Sequence, residues 1–80
     1  MPLFYLHHSH EPDECETAFA AWKGHDSPLR GQETFGTCRA GGHEIWWLVD
    51  ADTAEQAFDQ LPYFIAQRTT AAEISAITIP

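Results

Sequence analysis

"TFGTCRAGGHEIWWLVD", residues 34–50, decides the fold. Its second half, "HEIWWLVD" (43–50), is the strongest strand signal in the chain, dense in aromatic and β-branched residues. Its first half, "TFGTCRA" (34–40), reads as the partner strand. The "GG" at 41–42 is a two-residue hairpin signal. An antiparallel hairpin is therefore expected in the middle of an 80-residue chain.

Working outward, "LFYLHHSH" (3–10) is rich in strand formers and reads as a first strand. "EPDE" follows. Pro12 suits the first turn of a helix, and Asp13 and Glu14 suit the positive end of its dipole. Cys15, Ala18, Phe19 and Trp22 then fall at i, i+3, i+4 and i+7, a helix stripe that Gly24 closes. "HDSPLRGQE" (25–33) is a loop carrying Arg30. Beyond the hairpin, Thr53 and Gln56 suit a capping box. Ala54, Ala57, Phe58, Leu61 and Ile65 mark a second helix, which Pro62 should kink or break. "ISAITI" (74–79) is the expected closing strand, stopped by Pro80.

The order β-α-β-β-α-β is the split βαβ, ferredoxin-like arrangement. It predicts an α+β fold over a single domain, residues 1–80. The sheet would be four-stranded and antiparallel, in the order 4-1-3-2, with both helices on one face. The other face stays open, and pairing with a second copy would cover it.

Composition narrows the function. Twelve acids against four Lys and Arg give a net charge of −8. A nucleic-acid binder shows a basic footprint instead, and an anionic membrane surface would repel such a chain. No stretch approaches the ~18 consecutive apolar residues of a membrane span. The start of the chain has no basic region before its short apolar stretch, so a signal peptide is not expected and a cytoplasmic protein is. Two cysteines, Cys15 and Cys38, are too few for a disulfide scaffold. In a reducing compartment they are free thiols or metal ligands. So short a chain buries only about 60% of its unfolded surface as a monomer. Its three Trp and five Phe exceed what such a core readily hides, which again favours a homodimer.

The hairpin running into "IWWLVDADTAEQA", the "LPYF" after the second helix stripe and the closing "ISAITI" carry a resemblance. From Gly36 to Pro80 the chain resembles muconolactone isomerase-like members of the dimeric α+β barrel superfamily. YCII-like proteins and a small metal-binding group share that fold. The resemblance implies a ferredoxin-like homodimeric barrel. It also implies, as one functional expectation, an isomerase-like or lyase-like enzyme acting on a small carboxylated molecule. The "HHSH" of the first strand and the Cys15/Cys38 pair are not features of the isomerase.

Strand alternation sorts the side chains that carry chemistry. His8 and His10 share a face with Phe4 and Leu6, and His43 shares one with Ile45 and Val49. The aliphatic sets belong on the helix side. The end of the first strand lies beside the start of the third, so His8, His10, Cys15, Cys38 and His43 are expected at one edge of the sheet. Thiolates with imidazoles suit a tetrahedral zinc site, and nickel accepts the same donors. Glu14 could add an oxygen. The alternatives are a polar strand tip without metal, or a Cys15–Cys38 redox pair. On the open face, Tyr5, His7, Arg39 and Trp46 are expected to line a small-molecule pocket. There His7 would act as acid or base, and Arg39 would hold a carboxylate. The bland reading of Tyr5 and Trp46 is dimer core. A structural or regulatory dimer without chemistry completes the set of expectations.

Overall fold

The computed structural model describes residues 2–80. Four strands form one antiparallel sheet: β1 (Leu3–Ser9), β2 (Phe35–Gly36), β3 (Glu44–Asp50) and β4 (Thr69–Ile74). They lie in the order β2-β3-β1-β4, which is 4-1-3-2 when read from the other edge. Among the described residues, three short α-helices accompany them: α1 (Cys15–Ala20), α2 (Ala54–Phe58) and α3 (Tyr63–Ala66). This α+β sheet is compatible with a ferredoxin-like fold.

The expected alternation decides the core. Phe4, Leu6 and His8 of β1 are buried, as are Ile45, Trp47 and Val49 of β3. The apolar ones pack with Ala18, Ala57, Leu61 and Ile65 from the helical segments. Burying a side chain such as Leu6 contributes about 1.5–3 kcal/mol relative to leaving it in water. The opposite face is open: Tyr5, Phe35 and Leu48 are exposed there. A one-residue slip would swap these two sets. The pairings Leu6↔Trp47 and His8↔Ile45 place the apolar residues inside.

Several elements differ from expectation, each for a local reason. The hairpin is not a two-residue turn. After Gly36 the chain leaves the sheet, and Cys38–Ala40 form a 3-10 turn closed by Gly41 at φ 82°. Thr37 ties the base of this turn. Its N–H donates to the Glu44 carbonyl at 2.9 Å, and its carbonyl accepts from Gly42 N–H at 2.8 Å. A Cβ on Gly42 would collide with the Thr37 side chain. The expected strand over 34–40 is thus cut to two residues.

The closing strand begins five residues before its expected start. β4 pairs with β1 from His8↔Thr69 to Leu3↔Ile74. β1 begins at Leu3, so residues past Ile74 have run out of partner strand. Ile77 and Ile79 of the expected strand stand exposed.

The first helix starts with a 3-10 turn, Pro12–Glu14, and the Glu14 carboxylate accepts from the Glu11 N–H at 2.9 Å. α1 then ends at Ala20, short of Gly24. Thr53 caps α2 by accepting from Gln56 N–H at 3.1 Å. Pro62 breaks the second stripe into α2 and α3 and is the N-cap of α3. Among the described residues, no helix is long and apolar enough to cross a membrane.

Candidate metal centre

His10 follows the last residue of β1, and His43 precedes the first residue of β3. The two strands are antiparallel neighbours, so the histidines meet: His10 N–H donates to the His43 carbonyl at 3.1 Å. Their rings stand 5.5 Å apart at 63°. Pro12 favours a tight turn because its φ is fixed near the helical value. That turn brings Cys15, the first residue of α1, back over the strand ends.

The result is a group of three donor atoms. Cys15 Sγ lies 2.9 Å from His43 Nδ1 and 3.4 Å from His10 Nε2. One ligand atom from each residue lies within 4.8 Å of the other two. In a tetrahedral zinc site, Zn–S of about 2.3 Å and Zn–N of about 2.0–2.1 Å place sulfur and nitrogen roughly 3.5 Å apart. The group is therefore close enough to hold a metal ion, with donors that zinc and nickel both accept. His10 is buried, while Cys15 and His43 are half-buried. A centre here would sit at the rim of the core with one side toward solvent.

His8 stands behind the group. It is fully buried, and its Nε2 is 2.8 Å from His10 Nδ1. Its Nδ1 is 3.4 Å from Thr69 Oγ1. Burial pushes the His8 pKa below its usual value, and the neighbouring His10 adds to the effect. The backbone oxygens of Ile65 and Arg68 act in the opposite sense, toward a proton on the ring.

Cys38 is placed elsewhere. It is exposed on the 38–40 turn, outside the three-residue group, and both cysteines are free thiols. It was expected at the sheet edge with the histidines as part of a strand over 34–40, but that strand ends where the chain leaves the sheet. Glu14 is not among the three donors either. Arg68 Nη2 donates to Glu14 Oε2 at 2.9 Å, and Arg68 Nε donates to the same oxygen at 3.2 Å. This guanidinium, helped by the Glu11 N–H, holds the Glu14 carboxyl below its ordinary range. Arg68 also lies over the Phe64 ring, 3.7 Å from its centroid. The pair ties the turn before α1 to the start of β4 and so steadies Cys15.

On the open face, His7 Nε2 is 2.8 Å from the Glu44 carboxylate. The His7 ring stacks on Trp46 at 5.0 Å and 4°. Tyr5 and Trp46 line a cleft of about 490 Å³ with Phe35, Leu48 and Thr34. Neither His7 nor Arg39 lines it. Arg39 is exposed on the same turn as Cys38, so the expected Tyr5–His7–Arg39–Trp46 constellation is not assembled in this chain.

Two residues escaped the sequence reading. Thr69 was hidden because the closing strand was expected further on. Arg68 carried no local motif, and its partner lies 54 positions away. Comparison with protein-family models, curated proteins and solved structures gives no match.

Proposed function

We propose that the protein binds one transition-metal ion, zinc or nickel, through His10 Nε2, Cys15 Sγ and His43 Nδ1. The observation that carries this reading is Cys15 Sγ standing 2.9 Å from His43 Nδ1 and 3.4 Å from His10 Nε2, in a group where one ligand atom of each residue lies within 4.8 Å of the others. Cysteine sulfur with two imidazole nitrogens is a borderline-soft donor set suited to both metals. Three protein ligands leave a fourth position for water or a small ligand, the pattern of reactive zinc sites rather than closed structural ones. The net charge of −8 favours accumulation of cations around the protein.

The domain in this reading is ferredoxin-like and works as a homodimer, a dimeric α+β barrel. Support comes from the open sheet face, where Phe35 is 78% and Leu48 55% exposed. Pairing through that face would also enclose the Tyr5–Trp46 cleft, which suits a small-molecule ligand by its aromatic walls.

Metal analysis of untagged protein tests the binding. Near-stoichiometric zinc or nickel, lost in Cys15→Ala and kept in Cys38→Ala, is the expected result. Metal-free protein whose stability ignores added zinc would remove the proposal.

A further inference from the structure

Among the described residues, His8 and His10 are the two polar side chains buried in the core, and they touch each other. Burying adjacent polar rings is costly unless every nitrogen is satisfied.

We infer that His8 and Thr69 are positioning residues for the proposed centre: they hold His10 with its proton on Nδ1 and a bare Nε2 aimed at Cys15 and His43. The inference rests on the metal-binding reading, and it says how the site is prepared before any metal arrives.

The order of protons follows from one committed hydroxyl. Thr69 Oγ1 donates to the Ile65 carbonyl at 2.6 Å. A hydroxyl has a single proton, so toward His8 it can only accept. The 3.4 Å contact between Thr69 Oγ1 and His8 Nδ1 therefore uses a proton on His8 Nδ1. His8 is fully buried, and its side-chain partners are Thr69 and His10, neither a carboxylate. A ring with one proton, placed on Nδ1 by that contact, leaves His8 Nε2 a bare acceptor. His10 Nδ1, 2.8 Å away, must supply the proton of that bond. A His10 ring with one proton, placed on Nδ1, has none on Nε2, and that nitrogen is the one 3.4 Å from Cys15 Sγ.

The opposite tautomer of His10 is penalised twice. It would set two lone pairs against each other across 2.8 Å in a buried place. It would also put a proton where the metal must sit. Metal-binding histidines commonly donate their second N–H to an acceptor that fixes ring and tautomer. Here the acceptor is another histidine, itself anchored by a threonine on β4.

Long-range ¹H–¹⁵N correlation on metal-free protein reads the tautomer directly. His10 is expected to show a protonated Nδ1 and an unprotonated Nε2, with His8 likewise protonated at Nδ1. A zinc titration of Thr69→Val, which keeps the side-chain shape and removes the acceptor, is the second readout. The expected loss of zinc affinity is about 10–100-fold, with the two His10 nitrogens averaging toward a tautomer mixture. His10 protonated at Nε2, or Thr69→Val binding zinc as tightly as the parent, overturns the inference while leaving metal binding intact. The expected tautomer in a parent protein that takes up no zinc overturns the metal reading instead, and with it the positioning role.

Discussion

Cys15 Sγ stands 2.9 Å from His43 Nδ1 across a sequence separation of 28 positions. The contact joins the first residue of α1 to the residue preceding β3, and it exists only because β1 and β3 are antiparallel neighbours. The metal proposal depends on that junction. His43→Ala should lower zinc affinity at least ~100-fold, beyond the 10–100-fold typical of outer-shell changes. Cys38→Ala should leave it unchanged. Competition against a chromophoric chelator checks both, and equal losses in the two variants would count against the assignment of donors.

The metal-free protein should lose stability as pH falls through the range below 6.5. Burial lowers the His8 pKa in the folded state from the ordinary 6.5. Between the folded and unfolded values the unfolded chain binds more protons, so stability rises with pH there. The contribution is complete above about 6.5 and is lost as pH falls through the lower folded value. Chemical denaturation between pH 8 and pH 5, compared with His8→Leu, checks it. The variant should show a flatter profile over that interval.

Glu14 titrates in a lower window with the same sign. Arg68 lowers its pKa below the ordinary 4.5, so the stabilisation is present above that value and is lost as pH falls through the folded one. Glu14→Gln should unfold more readily than the parent at pH 7, and the difference should vanish in stronger acid. Because Cys15 follows Glu14 directly, the variant should also bind zinc more weakly at pH 7. A Glu14→Gln protein identical to the parent in both respects would show that the pair holds nothing in place.

How far the site could be read from the chain follows from where strand period applies. Alternation over "LFYLHHSH" put His8 and His10 beside Phe4 and Leu6, and the buried faces of β1 and β3 agree. Pro12 suited the first turn of a helix directly after β1, which put Cys15 at the same edge. Cys38 was misplaced because period 2 was continued past Gly36, where Thr37 diverts the chain into a 3-10 turn. Nothing in "TCRA" forbids a strand; the stop comes with hydrogen bonds inside the hairpin connection, from Thr37 to Glu44 and from Gly42 to Thr37. The sequence places the closing strand at "ISAITI", and the Ala and Glu of "TTAAEI" make that stretch the weaker strand former. The length of β1, which sets where β4 must pair, outweighed that preference. The His8–His10–Thr69 chain depends on that register and was out of reach for the same reason.

The open face should associate. Phe35 and Leu48 stand exposed on one side of the sheet, and Tyr5 beside them is 40% exposed. Light scattering should give twice the chain mass for the parent and the single-chain mass for Leu48→Glu, which places a charge in the centre of that face. A parent protein that stays monomeric at high micromolar concentration would contradict the dimer.

The central claim is that Cys15, His10 and His43 bind one metal ion together, and cobalt reports on it most directly. Titrating Co²⁺ into the metal-free protein should produce a thiolate-to-metal charge-transfer band that saturates at one equivalent. The band should disappear in Cys15→Ala and persist in Cys38→Ala. No charge-transfer band in the parent, or an undiminished one in Cys15→Ala, would contradict the account.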